Sequence, residues 1–230
     1  MIHFVGGEKG GVGKSVFARL LAQYFIDKQM PFTALDADVS NASLLRVYGD
    51  YCRPVDLAHF DSTDDIFTLA SEMPDRHVLV DLPAQGERPL AAWMDNGGIV
   101  DLAEEMQIRL VFWHVMDDSK DAVVALSRLL LRHGDSARYC VVKNAGRGKD
   151  FSLFDHSSIR AEAERRRSHV LELPELHGPV MRKIDRFDAS YWAAINNPTL
   201  GEGFTRLERQ RVKVWQWRMF EQLSSLPLWG

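Results

Sequence analysis

Short runs of apolar residues alternate along the chain with segments in which apolar residues recur every three or four positions. The first pattern is typical of buried strands and the second of helices that pack on one face. The alternation predicts an α/β fold with a mostly parallel, twisted sheet flanked by helices on both faces. The predicted strands are residues 2–5, 32–35, 77–82, 109–115, 139–143 and 168–173. The predicted helices are 15–28, 42–48, 64–71, 121–132, 158–167 and 207–223, and residues 88–106 are predicted to be mostly helical with an interruption at 96–98.

The chain organisation indicates one domain. No repeat, low-complexity segment or linker divides the 230 residues, so we expect a single domain over 1–230. No apolar run approaches the ~18 residues that span a bilayer. The first residues form a predicted strand rather than a secretory signal, and Cys52 and Cys140 lie far apart. These features predict a cytoplasmic protein with reduced thiols.

An amphipathic helix is predicted near the end of the chain, at about 206–226. Its apolar face carries Val212, Trp215, Met219, Phe220, Leu223 and Leu226. This face predicts packing on the sheet. The alternative is a membrane-surface helix, which the tryptophans favour. The absence of a basic residue after Arg218 argues against it, but does not exclude it.

Charge is distributed unevenly around a formal net value of −4. Residues 1–137 carry 12 basic and 21 acidic side chains, whereas residues 138–218 carry 16 basic and 10 acidic ones. The basic third, with clusters at Arg165-Arg166-Arg167 and Arg182-Lys183, predicts either non-specific contact with DNA phosphates or solvated helix faces. The two interpretations stay open.

A glycine-rich turn between the first predicted strand and the first predicted helix carries the candidate chemistry. Its sequence is Lys9-Gly10-Gly11-Val12-Gly13-Lys14-Ser15-Val16. Glycines let backbone N–H groups point at a phosphate, and the helix start adds its own N–H groups and dipole. In such a turn Lys14 provides a cation for the β- and γ-phosphates, and Ser15 provides a hydroxyl for Mg²⁺. The spacing departs from the strict pattern in one place, because Glu8 stands where the first glycine is expected.

The early lysine in this turn resembles the deviant P-loop of the ParA/MinD family of ATPases. The resemblance implies a P-loop NTPase fold that binds ATP and Mg²⁺ and forms an ATP-sandwiched homodimer stimulated by a partner protein. It also implies that Lys9 reaches the phosphates held by the second subunit. One departure is Val16, where many relatives carry a hydroxyl residue, so only its backbone N–H is expected to contact phosphate.

Acidic residues end two predicted strands at the edge where ligands bind in open α/β sheets. Asp36 and Asp38 follow one strand, and Asp81 ends another. Carboxylates there order Mg²⁺ and a water molecule. The resemblance implies that Asp36 and Asp81 act in the metal shell and that Asp38 positions the attacking water. The alternative for Asp38 is a helix cap, which is compatible with that role.

Two further residues are predicted to hold the base. Asn144 ends a strand and can donate and accept hydrogen bonds at once, as a purine edge requires. The resemblance implies adenine contact by Asn144 and closure of the loop at Pro174 over the base. The alternative for Asn144 is a turn-forming residue.

These parts predict an Mg²⁺-dependent ATPase switch in plasmid partition, conjugal mobilisation or cargo positioning. Three alternatives remain: a metabolic ligase that phosphorylates a carboxylate, a MinD-like membrane-surface ATPase, and a nucleotide-binding protein that hydrolyses little. A ligase would need a small-molecule substrate for ATP turnover and would not dimerise, which distinguishes it from the ATPase switch. Nothing in the sequence identifies a second substrate.

Overall fold

The computed structural model describes residues 1–7, 9–200 and 203–229. Its strands are β1 Ile2–Gly6, β2 Phe32–Asp36, β3 Cys52–Pro54, β4 His77–Asp81, β5 Leu110–Met116, β6 Arg138–Asn144 and β7 His169–Leu173. Its helices are α1 Lys14–Asp27, α2 Ser43–Val47, α3 Phe60–Glu72, α4 Glu87–Gly97, α5 Ile99–Glu105, α6 Lys120–His133, α7 Ser152–Asp155, α8 Ser158–Arg165, α9 Gly178–Arg186, α10 Tyr191–Asn196 and α11 Arg206–Ser224.

Within the described residues the strands form one seven-stranded, all-parallel sheet in the order β3-β2-β4-β1-β5-β6-β7. Alternate strand residues face two separate apolar clusters: Val5 and Trp113 belong to one, and Phe4 and Phe112 to the other. Burial on both faces explains the near-continuous apolar strands in the sequence. The predicted fold class is therefore confirmed. Because β1 is central, the turn that follows it lies at the middle of the sheet's carboxyl edge.

The predicted strands and helices are present, with shifts of a few residues at their ends. Strand β3 and helices α7, α9 and α10 were not predicted. Strand β3 spans three residues and ends in Pro54, so it carries no alternation to detect. The predicted helical segment 88–106 is interrupted as expected. The interruption lies at Gly98, whose φ is +56°. No helix in the described part of the chain is long and apolar enough to cross a bilayer.

Both edges of the sheet are short or covered. At one edge lies β3. At the other, the side chain of Gln222 on α11 pairs with the backbone of Glu172 in β7. Its Nε2 donates to the Glu172 carbonyl oxygen at 2.9 Å, and its Oε1 accepts from the Glu172 N–H at 2.8 Å. The Gln222 amide thus takes the hydrogen bonds that a further strand would make.

Helix α11 packs on the sheet, as the favoured interpretation predicted. Val212, Met219 and Leu223 are fully buried in the same cluster as β1 and α1. Phe220 lies edge-on against Tyr24 of α1, with ring centroids 5.1 Å apart. The apolar face is therefore occupied by the core rather than available to a lipid surface.

We expect Leu223→Ala to lower the free energy of unfolding by about 2–5 kcal/mol, because it leaves a cavity in this core. Leu207→Ala is the matched control on the same helix. Leu207 is 60% exposed, so its truncation should change stability by less than about 0.5 kcal/mol. Urea denaturation compares the two variants. Equal effects would show that α11 is not held in the core.

Buried neutral histidines make the fold sensitive to acid. Burial is the main cause that lowers the pKa of His77, His114 and His133, each to about 4. The unfolded chain binds these protons near pH 6.5, so between about pH 6.5 and 4 it holds more protons than the folded chain. Stability is therefore lost as pH falls through that window.

His133→Phe tests this dependence, because His133 stacks on Phe112 with centroids 4.5 Å apart and phenylalanine preserves the stacking. We expect the stability lost between pH 6.5 and 5 to shrink by about 2 kcal/mol in the variant. His59→Gln, at an exposed position, is the control and should leave the loss unchanged. Identical pH profiles for wild type and His133→Phe would contradict the assignment.

Candidate functional site

The glycine-rich turn after β1 folds into a concave loop that leads into α1. Gly13, at the N-cap, has φ +101°, a left-handed conformation that favours glycine. Lys14 is 7% exposed, and its Nζ donates to the carbonyl oxygen of Lys9 at 3.2 Å. The ammonium is thus folded back over the loop at the start of α1, where the first N–H groups of a helix have no acceptor within the helix. This geometry is that of an anion cradle.

Asn144 fastens the cradle to β6. Its Nδ2 donates to the carbonyl oxygen of Val12 at 2.7 Å, and its Oδ1 accepts from the N–H of Gly146 at 3.0 Å. The side chain is buried. Adenine contact by Asn144 stays a prediction, but the structure gives the residue a second role that the sequence did not indicate, since it positions the phosphate loop.

Gly13→Ala should disrupt the cradle. A Cβ at this position would lie 2.2 Å from the Asn144 Nδ2, and φ is unfavourable for alanine. Gly11→Ala is the control, because φ is +81° there but no atom lies within 4 Å of the added Cβ. We expect nucleotide affinity, measured by calorimetry, to fall much further for Gly13→Ala than for Gly11→Ala. Equal losses would mean that backbone strain, not the contact with Asn144, is responsible.

Asp36 and Asp38 organise the loop that follows β2. Asp36 Oδ2 accepts from the N–H groups of Leu44 and Leu45 at 2.9 and 3.0 Å, at the start of α2. Asp38 Oδ1 accepts from the Ser40 hydroxyl and the Asn41 N–H. The carboxylate that caps the helix is therefore Asp36, not Asp38. The contacts of Asp38 go to Oδ1 and hold the residue at the rim of the cleft.

The surroundings of Asp81 indicate that its buried carboxylate is incompletely stabilised. The residue is fully buried, and within the described residues neither of its carboxylate oxygens accepts a hydrogen bond of good geometry. Burial raises the pKa of Asp81 to about 7, and Asp36, its partner in the β2–β4 register, adds to the rise. Ser15 and Lys14 act in the opposite direction.

A divalent cation fits this arrangement, because unpaired buried carboxylates are stabilised by a positive charge. No group of three or more histidine, cysteine or acidic side chains within the described ranges could hold a metal by itself. The ion would therefore take its remaining ligands from phosphate oxygens and water, as Mg²⁺ usually does. Ser15, Asp36 and Asp81 are the residues that could hold it.

Lys9 lies on the outer side of the turn. Its side chain is 53% exposed, and its Nζ lies 3.3 Å from Oδ2 of Asp117, which follows β5. Asp117 also accepts from Ser119 at the N-terminus of α6. Lys9 is therefore held within its own chain by an exposed ion pair, which is worth little and is readily exchanged.

Two adjoining clefts run along the carboxyl edge of the sheet. The first is lined by the cradle and by Asp38, and the second by Val16, Asn144 and Pro174. The second cleft is closed at its far side by Trp215 of α11, whose Nε1 donates to the carbonyl oxygen of Pro174 at 2.6 Å. The structure thus brings the predicted phosphate and base residues into one continuous groove.

Two residues that the sequence did not single out lie where the clefts meet. Arg147, in the loop after β6, and Asp185, on α9, line both. Asp185 Oδ1 accepts from Nη2 of the buried Arg19 at 2.7 Å. No local motif marks these two positions. Arg147 reaches the clefts from the loop after β6, and Asp185 reaches them from α9, where it pairs with Arg19 of α1.

The basic clusters of the C-terminal third are largely neutralised within the chain. Arg165 pairs with Glu162, and Arg166 pairs with both Glu162 and Asp135 at 2.8 and 2.9 Å. Lys183 lies 3.2 Å from Glu208. These contacts favour the interpretation of solvated helix faces.

Comparisons with known proteins agree with this geometry. The chain is 24% identical over 225 residues to Protein MobD of Acidithiobacillus ferrooxidans, covering 94% of this chain and 92% of that protein. It is 25% identical over 235 residues to a Protein TraL of Escherichia coli, covering 97% of each. No family model matches the chain.

Solved structures show the same fold at low identity. MinD in the MinC:MinD cell division complex of Aquifex aeolicus gives a TM-score of 0.58 at 13% identity, covering 99% of this chain and 97% of that one. MinD of Aquifex aeolicus gives 0.53 at 12% identity, covering 99% and 98%. The sequence predicted this fold from the glycine-rich turn and the strand pattern.

Proposed function

We propose that this chain, which has the fold of the ParA/MinD ATPases, is an Mg²⁺-dependent ATPase that acts as a switch in conjugal mobilisation or plasmid partition. The carrying observation is the burial of the Asp81 carboxylate within electrostatic reach of Lys14 in the cradle. The cradle offers N–H groups and an ammonium to an anion, and the buried carboxylates of Asp36 and Asp81 favour a cation. A nucleotide triphosphate with its metal supplies both.

The chain's own residues account for positioning. Backbone N–H groups of the turn and the start of α1 bind phosphate oxygens, and Lys14 neutralises their charge. Ser15, Asp36 and Asp81 would hold the ion. Bound Mg²⁺ supplies further neutralisation of the charge that develops on the phosphates. Asp38, at the cleft rim, orients the attacking water. Phosphoryl transfer to water needs little more than this arrangement.

A homodimer that sandwiches ATP is the proposed active form. Lys9 and Val39 are adjacent in the chain to the cleft-lining Gly10 and Asp38, and Val39 is 76% exposed. A second copy placed over the cleft would cover this apolar side chain and offer its phosphates to Lys9 in place of Asp117. The ion pair with Asp117 keeps Lys9 within the monomer until then.

The cellular process is proposed from the relatives. MobD and TraL align with almost the whole of this chain, and we extend to it a role in conjugal mobilisation or partition on that likeness. A stimulating partner protein is proposed by analogy with the MinC:MinD complex. Non-specific DNA contact has less support, because the arginine cluster 165–167 is mostly ion-paired.

Light scattering after size-exclusion chromatography, with ATP and Mg²⁺ or with ADP, tests the proposal together with phosphate release. We expect a dimer with ATP, a monomer with ADP, and slow hydrolysis. Hydrolysis that requires a small carboxylic acid and proceeds without dimerisation would instead support the ligase alternative. Adding duplex DNA at two salt concentrations tests whether the basic C-terminal third of the chain contacts DNA. Contacts with DNA phosphates weaken steeply as the salt concentration rises.

A further inference from the structure

The point at which the two clefts meet carries a carboxylate that the proposed chemistry does not use. Asp185 lies on α9, and it lines both the phosphate cleft and the base cleft. In a nucleotide that spans the two clefts, the group between phosphates and base is the ribose. A carboxylate at that point faces a sugar bearing hydroxyl donors.

The geometry of Asp185 leaves one oxygen for such a contact. The contact with Arg19 Nη2, at 2.7 Å, goes to Oδ1, and the Asp185 side chain is 51% exposed. Arg19 is 5% exposed and is itself placed by the carbonyl oxygen of Ser15, which accepts from its Nε at 3.3 Å. The rotamer of Asp185 is therefore held by a buried guanidinium anchored to the phosphate loop.

We propose that Asp185 accepts hydrogen bonds from the ribose hydroxyls and so makes the site selective for ribonucleotides over deoxyribonucleotides. The proposal rests on the function proposed above and names the sugar specificity of that site. An ionised carboxylate can accept hydrogen bonds but cannot donate them. Both ribose hydroxyls can donate a hydrogen bond to it. A site that hydrogen-bonds a substrate hydroxyl rejects the analogue that lacks it, because the site's acceptor is then left unpaired.

Charge argues for a sugar rather than a phosphate at this position. Asp185 is an anion, and a phosphate in contact with it would be repelled. Arg147, which lines both clefts as well, provides a cation for the neighbouring α-phosphate. Where the two clefts meet, Arg147 thus contacts the phosphate and Asp185 contacts the sugar.

Calorimetry of the wild-type chain with Mg²⁺ and ATP, 2′-deoxyATP or 3′-deoxyATP tests the proposal. We expect at least one deoxy analogue to bind about tenfold more weakly than ATP, the loss of one hydrogen bond to a charged group. In Asp185→Ala the ratio of the affinities for ATP and that analogue should fall to about one. Using a ratio within each protein removes any effect of the variant on overall stability.

Two further variants serve as controls for this test. Arg19→Met combined with Asp185→Ala removes the guanidinium that would otherwise be buried without its partner, and its ratio should also fall to about one. Asp188→Ala is the matched control: Asp188 lines only the phosphate cleft and pairs with Arg46 at 3.1 Å. It should keep the wild-type ratio.

The outcomes are distinct. Equal binding of ATP and both deoxy analogues by the wild type overturns the proposal while leaving ATP binding intact. A ratio that persists in both Asp185 variants overturns the assignment to Asp185. No binding of ATP by the wild type contradicts the proposed function itself.

Discussion

Lys14→Ala should abolish nucleotide binding, lowering the affinity for ATP by about a hundredfold or more, because several charge-assisted contacts to the phosphates are lost together. The position of Lys14 in the structure is the reason for this large expected effect. The ammonium is buried at the head of α1 and is folded over the turn by the carbonyl oxygen of Lys9. A phosphate that replaces the carbonyl oxygen meets a cation already in place.

Lys28→Ala is the control for this prediction. Lys28 lies at the other end of α1, exposed, with its Nζ 5.8 Å from the centroid of the Tyr24 ring. It should bind ATP as the wild type does. Calorimetry with ATP and Mg²⁺ measures both variants, and circular dichroism confirms that each is folded. Wild-type affinity in a folded Lys14→Ala variant would contradict the assignment of the cradle.

The second large effect is expected on turnover rather than on binding. Asp38→Ala should slow hydrolysis by at least about a hundredfold, the usual contribution of a residue that orients or activates the attacking group. ATP affinity should be kept, because the cradle is untouched. The ATP-bound dimer should then accumulate, since the step that resets it is blocked.

Asp50→Ala is the matched control, an exposed acid in the turn before β3, and should hydrolyse ATP at the wild-type rate. Single-turnover phosphate release separates hydrolysis from product release, and light scattering reports the dimer. A wild-type rate in Asp38→Ala would show that another group orients the water. Loss of ATP binding would instead show that Asp38 holds the loop through its bonds to Ser40 and Asn41.

The sequence predicted the sheet well because its strands are buried on both faces. The runs in β4 and β5 are nearly continuous in apolar residues, as is typical of strands in the middle of a parallel sheet. Strand β3 escaped prediction because three residues cannot show a period, and α9 and α10 escaped because nine and six residues are too short to establish a helical period. Their burial depends on packing against α1, which the sequence does not display.

The site was predictable where it is local. The cradle residues are consecutive in the chain, and the acids Asp36 and Asp81 end strands that the pattern predicts. That these two strands are neighbours is known only from the structure. The capping of α2 by Asp36 and the tie from Asn144 to Val12 could not be predicted, because each joins groups through three-dimensional contact. Arg147 and Asp185 were missed for the same reason.

The covered sheet edges limit how copies of this chain can associate. A strand with free N–H and C=O groups at its outer side is a template for aggregation and for continuous intermolecular sheets. Here Pro54 shortens one edge, since proline cannot donate a ladder hydrogen bond, and the amide of Gln222 occupies backbone groups of the other. Growth of a continuous sheet from one copy of the chain to the next is therefore disfavoured at both edges.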